Sequence, residues 1–277
     1  MRLFGMTCLA MLAFAANSVL NRMAVGAGLI DPVPFAVLRL AAGAAVLVAL
    51  LVLRRGLVWP GWPGRMPGVL GLLVYLFGFS AAYLALDAGT GALILFGVVQ
   101  ITMFAGAHLA GEAVPGRRIA GAGLALIGLA VLLAPQGGAV VPQLAMAVAG
   151  VGWGVYSLAG RGQRDALAAT AWNFILALPV GVVVLLALPG HWTADGVVLA
   201  LLSGGVTSGM GYALWYLVVP QLGAARAAVA QLSVPLIAAA GGAALLAELP
   251  GPGFWLAAGL VLGGVSVASV GPRVKVA

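Results

Sequence analysis

Aromatic and polar side chains recur at helical spacing in the segments that carry all five tyrosines of the chain. Tyr75, Phe79 and Tyr83 are spaced by four residues, so on a helix they share one face. Three further stripes mix rings with hydroxyl or amide groups: Phe14, Asn17 and Asn21; Trp153, Tyr156 and Ser157; Ser208, Tyr212 and Trp215. Such faces can stack on a flat solute and hydrogen-bond to its polar groups.

The stripes predict a binding site for a planar, amphipathic small molecule. For any single residue the alternative is helix packing or anchoring in lipid. The candidate contacts are Asn17, Tyr75, Phe79, Trp153, Tyr156, Tyr212 and Trp215.

Gln100 and Gln231 are polar residues within long apolar segments. A buried amide loses several kcal/mol unless it finds a partner. The two glutamines are therefore predicted either to join helices or to contact the charged groups of a bound amino acid. Pro235 should kink its helix and free nearby carbonyls, and such irregular backbone suits the edge of a cavity. Pro235 is thus a candidate gating residue.

Tyr83 and Tyr216 are the other candidate gating residues. Each is expected near one end of its helix, and the two ends lie on opposite sides. Paired gates are one interpretation, and anchoring at the two interfaces is the other.

The remaining charged candidates are few. Arg39 falls inside a long apolar segment, where an unpaired charge is unfavourable. Pairing with Asp31 or with carbonyls at a helix end is the favoured interpretation, and attraction of a substrate carboxylate is the alternative. Glu112 and Glu248 precede apolar segments, and each is predicted to cap the helix that follows it or to form an ion pair, with a role in proton transfer as the alternative.

The sequence lacks the residues that ATP-driven transport, catalysis or metal binding would need. The sequence has no phosphate-cradling G-x-x-x-x-G-K-[ST] motif, so ATP is not expected to drive it. The two histidines form no H-x-x-x-H pair, and the six carboxylates do not cluster. An enzyme acting on lipids is therefore the least favoured function, and neither metal nor cofactor is predicted.

The elements that must position these residues follow from the composition. Only 7% of the 277 residues are charged and 64% are apolar, whereas a soluble domain carries about 25% charged residues. A membrane span needs about 20 apolar residues. Ten such stretches occur, roughly at 3–22, 33–53, 67–86, 89–109, 117–134, 142–159, 167–188, 195–217, 224–246 and 253–270.

The basic residues follow the expected topology. With the N-terminus in the cytoplasm, 11 of the 13 basic residues fall on the cytoplasmic side, which is a positive-inside pattern. Arg22 lies on the other side and Arg39 within a span. The net charge of +7 thus records topology rather than a nucleic-acid surface, and both termini are predicted to be cytoplasmic. The first segment also imitates a secretory signal peptide, but the repeat described next requires it as a span.

The two halves of the chain resemble each other in order. Phe14–Arg22 matches Trp153–Arg161, Gly78–Leu86 matches Gly211–Val219, and Glu112 with its following Gly-rich segment matches Glu248 with its own. Five spans per half reverse the second half in the membrane. The sequence therefore predicts two inverted repeats, 1–137 and 138–277, around a site near the midplane.

These residues resemble the EamA family of the drug/metabolite transporter superfamily, and the abundant aromatic residues of the expected cavity resemble its aromatic amino acid exporter branch. The resemblance rests on the Asn or Tyr-Ser element in the first span of each half, the glutamate before each last span, and Arg39. It implies ten helices around a cavity lined by spans 1, 3, 4, 6, 8 and 9, and export of small metabolites. Phe14-Ala15 replaces the Trp or Gly usual in the first-span motif.

The sequence thus predicts an all-α, ten-span transporter of the bacterial inner membrane that functions as a monomer in the lipid bilayer. Its expected substrates are aromatic and other large neutral amino acids. Alternating access with facilitated efflux is favoured because no carboxylate is predicted at the midplane. A proton-coupled multidrug or metabolite exporter and a passive channel are the alternatives.

Overall fold

The computed structural model describes residues 1–54, 56–111, 116–133, 140–161, 163–222 and 224–269. Its regular structure is helical, apart from one isolated bridge between Ile30 and Trp192. Glu112 and part of the predicted cytoplasmic charge (Arg55, Arg273 and Lys275) lie outside the described residues.

The helices follow one another with short connections, as expected for a chain made of membrane spans. Their bounds are α1 (Arg2–Asn21), α2 (Pro32–Arg54), α3 (Arg65–Ala82), α4 (Ala88–Leu109), α5 (Gly116–Leu133), α6 (Val140–Gly160), α7 (Ala166–Ala187), α8 (Ala194–Leu202), α9 (Gly211–Leu222), α10 (Ala224–Gln231), α11 (Ser233–Leu246) and α12 (Pro252–Ser269). Two π-helical segments interrupt this series, Arg22–Gly26 after α1 and Ser203–Met210 between α8 and α9.

Within the described part of the chain, eight helical stretches are long and apolar enough to cross a membrane. Three of these stretches join more than one element: α1 with the π-helical segment Arg22–Gly26, α8 with α9 through Ser203–Met210, and α10 with α11 through a turn at Leu232. Two shorter apolar helices, Ile119–Leu132 and Pro252–Ala268, coincide with the predicted fifth and tenth spans. The all-helical membrane fold is therefore confirmed, and the count of ten crossings stays a prediction.

Glycines bring several helix pairs into backbone contact. A Cβ on Gly71 would lie 2.7 Å from the carbonyl oxygen of Gly152, so α3 and α6 pack without side chains between them. Gly150 and Gly154 similarly admit Val98 and Thr102 of α4. These contacts fit the small-residue packing that membrane helices use in place of a hydrophobic driving force.

In α12, the glycine that contacts a neighbouring helix differs from the pair that the sequence spacing indicates. Gly259-xxx-Gly263 has the spacing of small residues that predicts close packing of membrane helices, yet a Cβ on either glycine would meet nothing within 4 Å. The residue in contact is Gly264, where a Cβ would lie 2.5 Å from the carbonyl oxygen of Gly121 on α5. Which side of α12 faces a neighbour depends on tertiary packing, so spacing alone selected the wrong pair.

The helix that carries Pro235 is broken near the predicted place. α10 ends at Gln231, Leu232 forms a turn, and α11 begins at Ser233. Proline in the first turn of a helix has no backbone N–H to leave unbonded, so it starts α11 rather than bending its middle. The break is as expected, while the gating role of Pro235 stays a prediction.

The bundle has two ends, which we name after one residue each. At the Glu248 end, α1, α3 and α11 end and α2, α4 and α8 begin. At the Arg65 end, α2, α4 and α6 end and α3 and α7 begin. A bridge between the loops before α2 and α8 closes the Glu248 end, where Thr193 N–H donates to Leu29 O over 2.8 Å.

Candidate functional site

A small cavity lies between five helical stretches in the interior of the bundle. The space open to the centres of water molecules is about 10 Å³, which is near the lower limit for one water. The conformation is therefore closed around the cavity, and a larger solute requires the helices to move apart. The lining residues are Phe14, Asn17, Ser18, Tyr75, Phe79, Leu95, Phe96, Trp153 and Tyr212.

Five of the six spans expected to line the cavity supply these residues. They come from α1, α3, α4, α6 and α9, the last being part of the predicted eighth span. No lining residue given above comes from the α10–α11 stretch, which is the predicted ninth span. Val234 and Ala238 of α11 instead belong to the apolar core that surrounds the cavity.

Trp153 is the centre of the aromatic wall. Its ring centroid lies 4.8 Å from that of Tyr75, 5.0 Å from that of Tyr212 and 5.1 Å from that of Tyr156, with the last pair stacked at 20°. Phe79 extends the wall through Tyr75 at 5.2 Å. Rings at such distances attract one another beyond their buried area. The wall can therefore offer flat faces to a solute when the cavity widens.

Asn17 faces the cavity but is held by three hydroxyl groups. Its Oδ1 accepts from Ser203 Oγ at 2.6 Å and from Thr207 Oγ1 at 2.8 Å, and its Nδ2 donates to Ser208 Oγ at 3.3 Å. All three hydroxyls lie on the π-helical segment Ser203–Met210. π-Helical turns frequently mark functional sites. This one ties α1 to the eighth predicted span beside the cavity.

Arg39 lies at the same place, and the expected pairing with Asp31 is wrong. The guanidinium is fully buried; Nε donates to Ser208 Oγ at 3.0 Å, and Nη2 donates to Tyr75 Oη at 2.7 Å. Asp31 instead accepts from the backbone N–H of His191 at 2.7 Å. Asp31 precedes α2, whereas Arg39 is two turns further along, so the side chain points into the bundle rather than back to the helix end.

The other predicted contacts surround the lining rather than form it. Trp215 packs edge-on against Phe14 at 5.7 Å. Tyr156 stacks behind Trp153, and its hydroxyl donates to Thr170 Oγ1 at 3.2 Å. Gln100 is buried one helical turn beyond the lining residue Phe96, and Gln231 is half-buried. Substrate contact by these residues stays a prediction.

The two predicted gating tyrosines occupy opposite ends. Tyr83 ends α3 at the Glu248 end, is fully buried, and donates from its hydroxyl to Ala88 O at 3.3 Å. The hydroxyl of Tyr216 lies beside Tyr156 and Thr170 toward the Arg65 end. The opposite placement is as expected, and gating itself stays a prediction.

An ion pair joins four helices at the Glu248 end. Arg22 Nε lies 2.6 Å from Glu248 Oε1, and Glu248 Oε2 accepts from Ala88 N–H at 2.9 Å, which caps α4. Arg22 Nη1 also donates to the carbonyl oxygens of Tyr83 at 3.2 Å and Leu84 at 3.3 Å, where α3 ends. The predicted ion pair of Glu248 is thus present, but the helix that its carboxylate caps is α4 rather than the following helix, α12. We call this cluster the latch.

The backbone aims Glu248 at its partners. α11 ends at Leu246, and the next residue, Ala247, adopts the left-handed conformation with φ 56°. Glu248 N–H then donates back to Gly242 O at 3.1 Å. This is a common helix ending, but it is usually made by glycine because a Cβ is disfavoured there. The chain accepts this strain at the residue that precedes the latch.

Asp87 gives the latch a pH dependence. Partial desolvation raises the pKa of its carboxyl, the charge of Glu248 raises it further, and Arg22 opposes both. An acid whose pKa is raised on folding binds protons more readily in the folded state. Its charged form therefore destabilises the fold as pH rises above its ordinary pKa of about 3.9 and through the raised value.

We therefore expect Asp87→Asn to raise the melting temperature of the detergent-solubilised protein at pH 7 by about 2 °C. The difference from the unmodified protein should shrink as the pH is lowered toward 4. Asp195→Asn, an exposed carboxylate at the beginning of α8, is the matched control and should show no change. An equal rise in the melting temperature of Asp87→Asn at all pH values would contradict the pH dependence attributed to the charge of Asp87.

Arg65 anchors the opposite end and was not singled out by the sequence. It is 1% exposed; Nη1 donates to Asn173 Oδ1 at 2.8 Å and also to Ala169 O. These bonds join the beginning of α3 to α7. The sequence suggested only a cytoplasmic topology charge here, and no local pattern links residues more than 100 positions apart.

Other site residues were missed for the same reason. Ser18, Leu95 and Phe96 line the cavity, while Ser203 and Thr207 hold Asn17. One signal was available, because Ser203 and Thr207 are four residues apart in a Gly-rich apolar segment and so share a face. The π-helical geometry that adds Ser208 to this face has no comparable signature.

Known proteins resemble this chain in sequence and in fold. Residues 141–270 match the EamA-like transporter family. The uncharacterized protein PA1977 of Pseudomonas aeruginosa is 47% identical over 95% of this chain and 92% of its own length. The aromatic amino acid exporter YddG of Ancylobacter novellus is 31% identical over 83% of this chain and 82% of its own length.

A protein crystal structure with 23% sequence identity superposes with a TM-score of 0.69 over 95% of this chain and 97% of that one, which shows the fold alone. The sequence relatives carry the assignment further, because the match to the exporter extends over both halves of the chain. The chain is a member of the EamA-like transporter family, a multi-pass membrane protein whose family points to transport rather than to catalysis.

Proposed function

We propose that this protein exports small amphipathic metabolites, with aromatic and other large neutral amino acids as its main substrates. The observation that carries the proposal is the cavity wall, in which Tyr75, Phe79, Trp153 and Tyr212 place rings beside buried polar groups. Stacking and a few fixed hydrogen bonds suit a flat solute with a polar end. The 31% identity to an aromatic amino acid exporter supports the same substrate class.

Alternating access is the proposed mechanism. The two repeats, 1–137 and 138–277, exchange conformations around the cavity, which opens to the Arg65 end in one state and to the Glu248 end in the other. The basic residues predict that the Arg65 end faces the cytoplasm of a bacterium across its inner membrane. Tyr83, Tyr216 and Pro235 are proposed to move between these states. The monomer is the proposed transporting unit.

Counterflow in proteoliposomes tests the proposal. Liposomes are loaded with unlabelled phenylalanine, tryptophan, tyrosine, methionine or threonine, and uptake of labelled phenylalanine is followed with and without a pH gradient. We expect saturable exchange confined to aromatic and large neutral amino acids, without dependence on the gradient. Stimulation by the gradient would replace facilitated efflux by proton coupling. Uptake without counterflow would indicate a channel, and no exchange with folded protein would reject amino acids as substrates.

Trp153→Leu is expected to lower the apparent affinity for labelled phenylalanine by about tenfold, because the flat face at the centre of the wall is lost. The apparent affinity of Trp153→Phe, which keeps a ring, should lie between that of the unmodified protein and that of Trp153→Leu. Trp255→Leu is the matched control, since Trp255 is 56% exposed on α12, away from the cavity. Equal affinities in all three variants, with unchanged melting temperatures, would place the substrate elsewhere.

A further inference from the structure

Arg39 is a buried cation whose charge has no anionic partner among the described residues. Its titratable neighbours are Tyr75 and Tyr212, whose side chains are phenols and not carboxylates. The described carboxylates lie elsewhere: Asp31 at His191, Asp87 and Glu248 at Arg22, Asp165 at the beginning of α7, and Asp195 exposed on α8. An uncompensated charge in the interior of a membrane bundle is strongly unfavourable, and such residues generally mark a function.

Two buried donors at the same place lack acceptors in the protein. Arg39 Nη1 makes no hydrogen bond of standard geometry, and neither does the hydroxyl of Tyr212, which lies close enough to the guanidinium to interact with it. Buried polar groups are normally bonded, so two adjacent exceptions require a reason. A carboxylate supplies what both lack, because it is charged and accepts several hydrogen bonds.

The residues around Arg39 determine which chemical groups an anion bound there can have besides its carboxylate. The guanidinium carbon lies 5.0 Å from the ring centroids of both Tyr75 and Phe79, and Trp153 and Tyr212 complete the cavity wall. An anion held at Arg39 therefore presents the rest of its molecule to aromatic faces. No described carboxylate lines the cavity to receive an ammonium group, which leaves for it the ring faces and the neutral polar groups of Asn17 and Ser18.

We propose that Arg39 Nη1 and the Tyr212 hydroxyl form the receptor for a substrate carboxylate, and that the site selects aromatic carboxylates, whether or not they carry an amino group. Arg39 Nε and Nη2 are fixed by Ser208 and Tyr75, so the free edge of the guanidinium is already oriented. The inference rests on the proposed function in one respect: it takes the cavity to be the transport site.

Competition against labelled phenylalanine tests the selectivity. 3-Phenylpropionate lacks the amino group, phenylalaninamide lacks the carboxylate, and acetate lacks the ring. We expect 3-phenylpropionate to compete at least as well as unlabelled phenylalanine. The amide and acetate should each be at least about tenfold weaker, because hydrogen bonds to a charged group or contacts with the rings are lost. Competition by the amide equal to that of phenylalanine would overturn the proposal.

Tyr212→Phe isolates the hydroxyl, since it keeps the ring. It should weaken competition by 3-phenylpropionate by about tenfold and leave that of phenylalaninamide unchanged. Arg39→Gln should remove the preference for the carboxylate, and Arg39→Lys, which keeps the charge, should retain it at lower affinity. Melting temperatures separate binding from folding: removing an uncompensated buried charge should leave the Arg39→Gln protein at least as stable as the parent.

Arg65→Gln provides the structural contrast, because it removes a buried arginine whose bonds to Asn173 and Ala169 join two helices. It should lower the melting temperature. If Arg39→Gln is destabilised as much as Arg65→Gln and keeps the carboxylate preference, Arg39 is structural and the proposal fails.

Equilibrium quenching of tryptophan fluorescence by 3-phenylpropionate separates this inference from the proposed function. If labelled phenylalanine is not exchanged but 3-phenylpropionate binds in an Arg39-dependent way, amino-acid export is rejected and the carboxylate receptor stands. If phenylalanine exchanges and neither Arg39→Gln nor Tyr212→Phe alters selectivity, export stands and the receptor is rejected.

Discussion

A cysteine at position 90 is expected to react at least about tenfold faster with a membrane-impermeant thiol reagent when Glu248 is replaced by glutamine. Thr90 lies beside Glu248 at the closed Glu248 end. Cys8 is the only native cysteine, so Cys8→Ser with Thr90→Cys gives a single reporter. Glutamine keeps the size of Glu248 and can still accept from Ala88 N–H, but it removes the charged pair with Arg22.

The magnitude follows from the bonds that the latch makes. Arg22 and Glu248 are 21% and 13% exposed, and their contacts extend to the end of α3 and the beginning of α4. A hydrogen bond to a charged group contributes about 1.5–3 kcal/mol, and losing one shifts the equilibrium between closed and open states by about 10- to 100-fold. Arg22→Gln should act in the same direction.

Two controls make the latch test specific. Asp195→Asn removes an exposed carboxylate at the same end and should leave reporter reactivity unchanged. Exchanging the charges, with Arg22→Glu and Glu248→Arg, restores attraction but not the cap on α4, so the rate should be intermediate. Unchanged reactivity in folded Glu248→Gln protein would mean that packing alone closes this end, as where Gly89 meets Ala239.

Leucine at Gly121 is expected to eliminate folded protein, whereas leucine at Gly123 is expected to be tolerated. A Cβ on Gly121 would collide with the carbonyl oxygen of Gly264, because α5 and α12 touch through their backbones there. A Cβ on Gly123 meets nothing within 4 Å. Backbone atoms cannot rotate away as a side chain can, so the two helices must separate and lose their contact.

Alanine gives a graded form of the same test. Gly123→Ala should raise the melting temperature slightly, since alanine is the better helix former by up to about 1 kcal/mol. Gly121→Ala should lower it despite the same gain in propensity. Gly264→Leu should behave like Gly121→Leu, and Gly259→Leu like Gly123→Leu. Measurement requires only size-exclusion chromatography and thermal unfolding in detergent; folded Gly121→Leu protein would show that α5 and α12 are not packed as described.

Whether a feature could be predicted from the sequence depends on how far apart the interacting residues are along the chain. Tyr75 and Phe79 could be assigned to one helix face because four-residue spacing is a local property, and both line the cavity. The small-residue spacing of Gly259 and Gly263 was equally local, but it could not tell which side of α12 faces α5. The sequence favoured Asp31, a carboxylate close in the chain, or carbonyls at a helix end as the partner of Arg39. In the structure its partners are instead the hydroxyl groups of Ser208 and Tyr75.

By itself, the sequence determined the solvent of this protein and hence its class. A chain with so few charged residues has lipid as its surroundings. Lipid offers no hydrogen-bond partners to backbone N–H and C=O groups, so these groups must bond to one another within helices. The sequence also determined the family and the aromatic, polar character of the candidate site. Only the tertiary structure decided the pairings: Arg22 meets Glu248 across 226 positions, and Asn17 meets Ser208 across 191. Such contacts depend on how helices are rotated and which are neighbours, which no local pattern encodes.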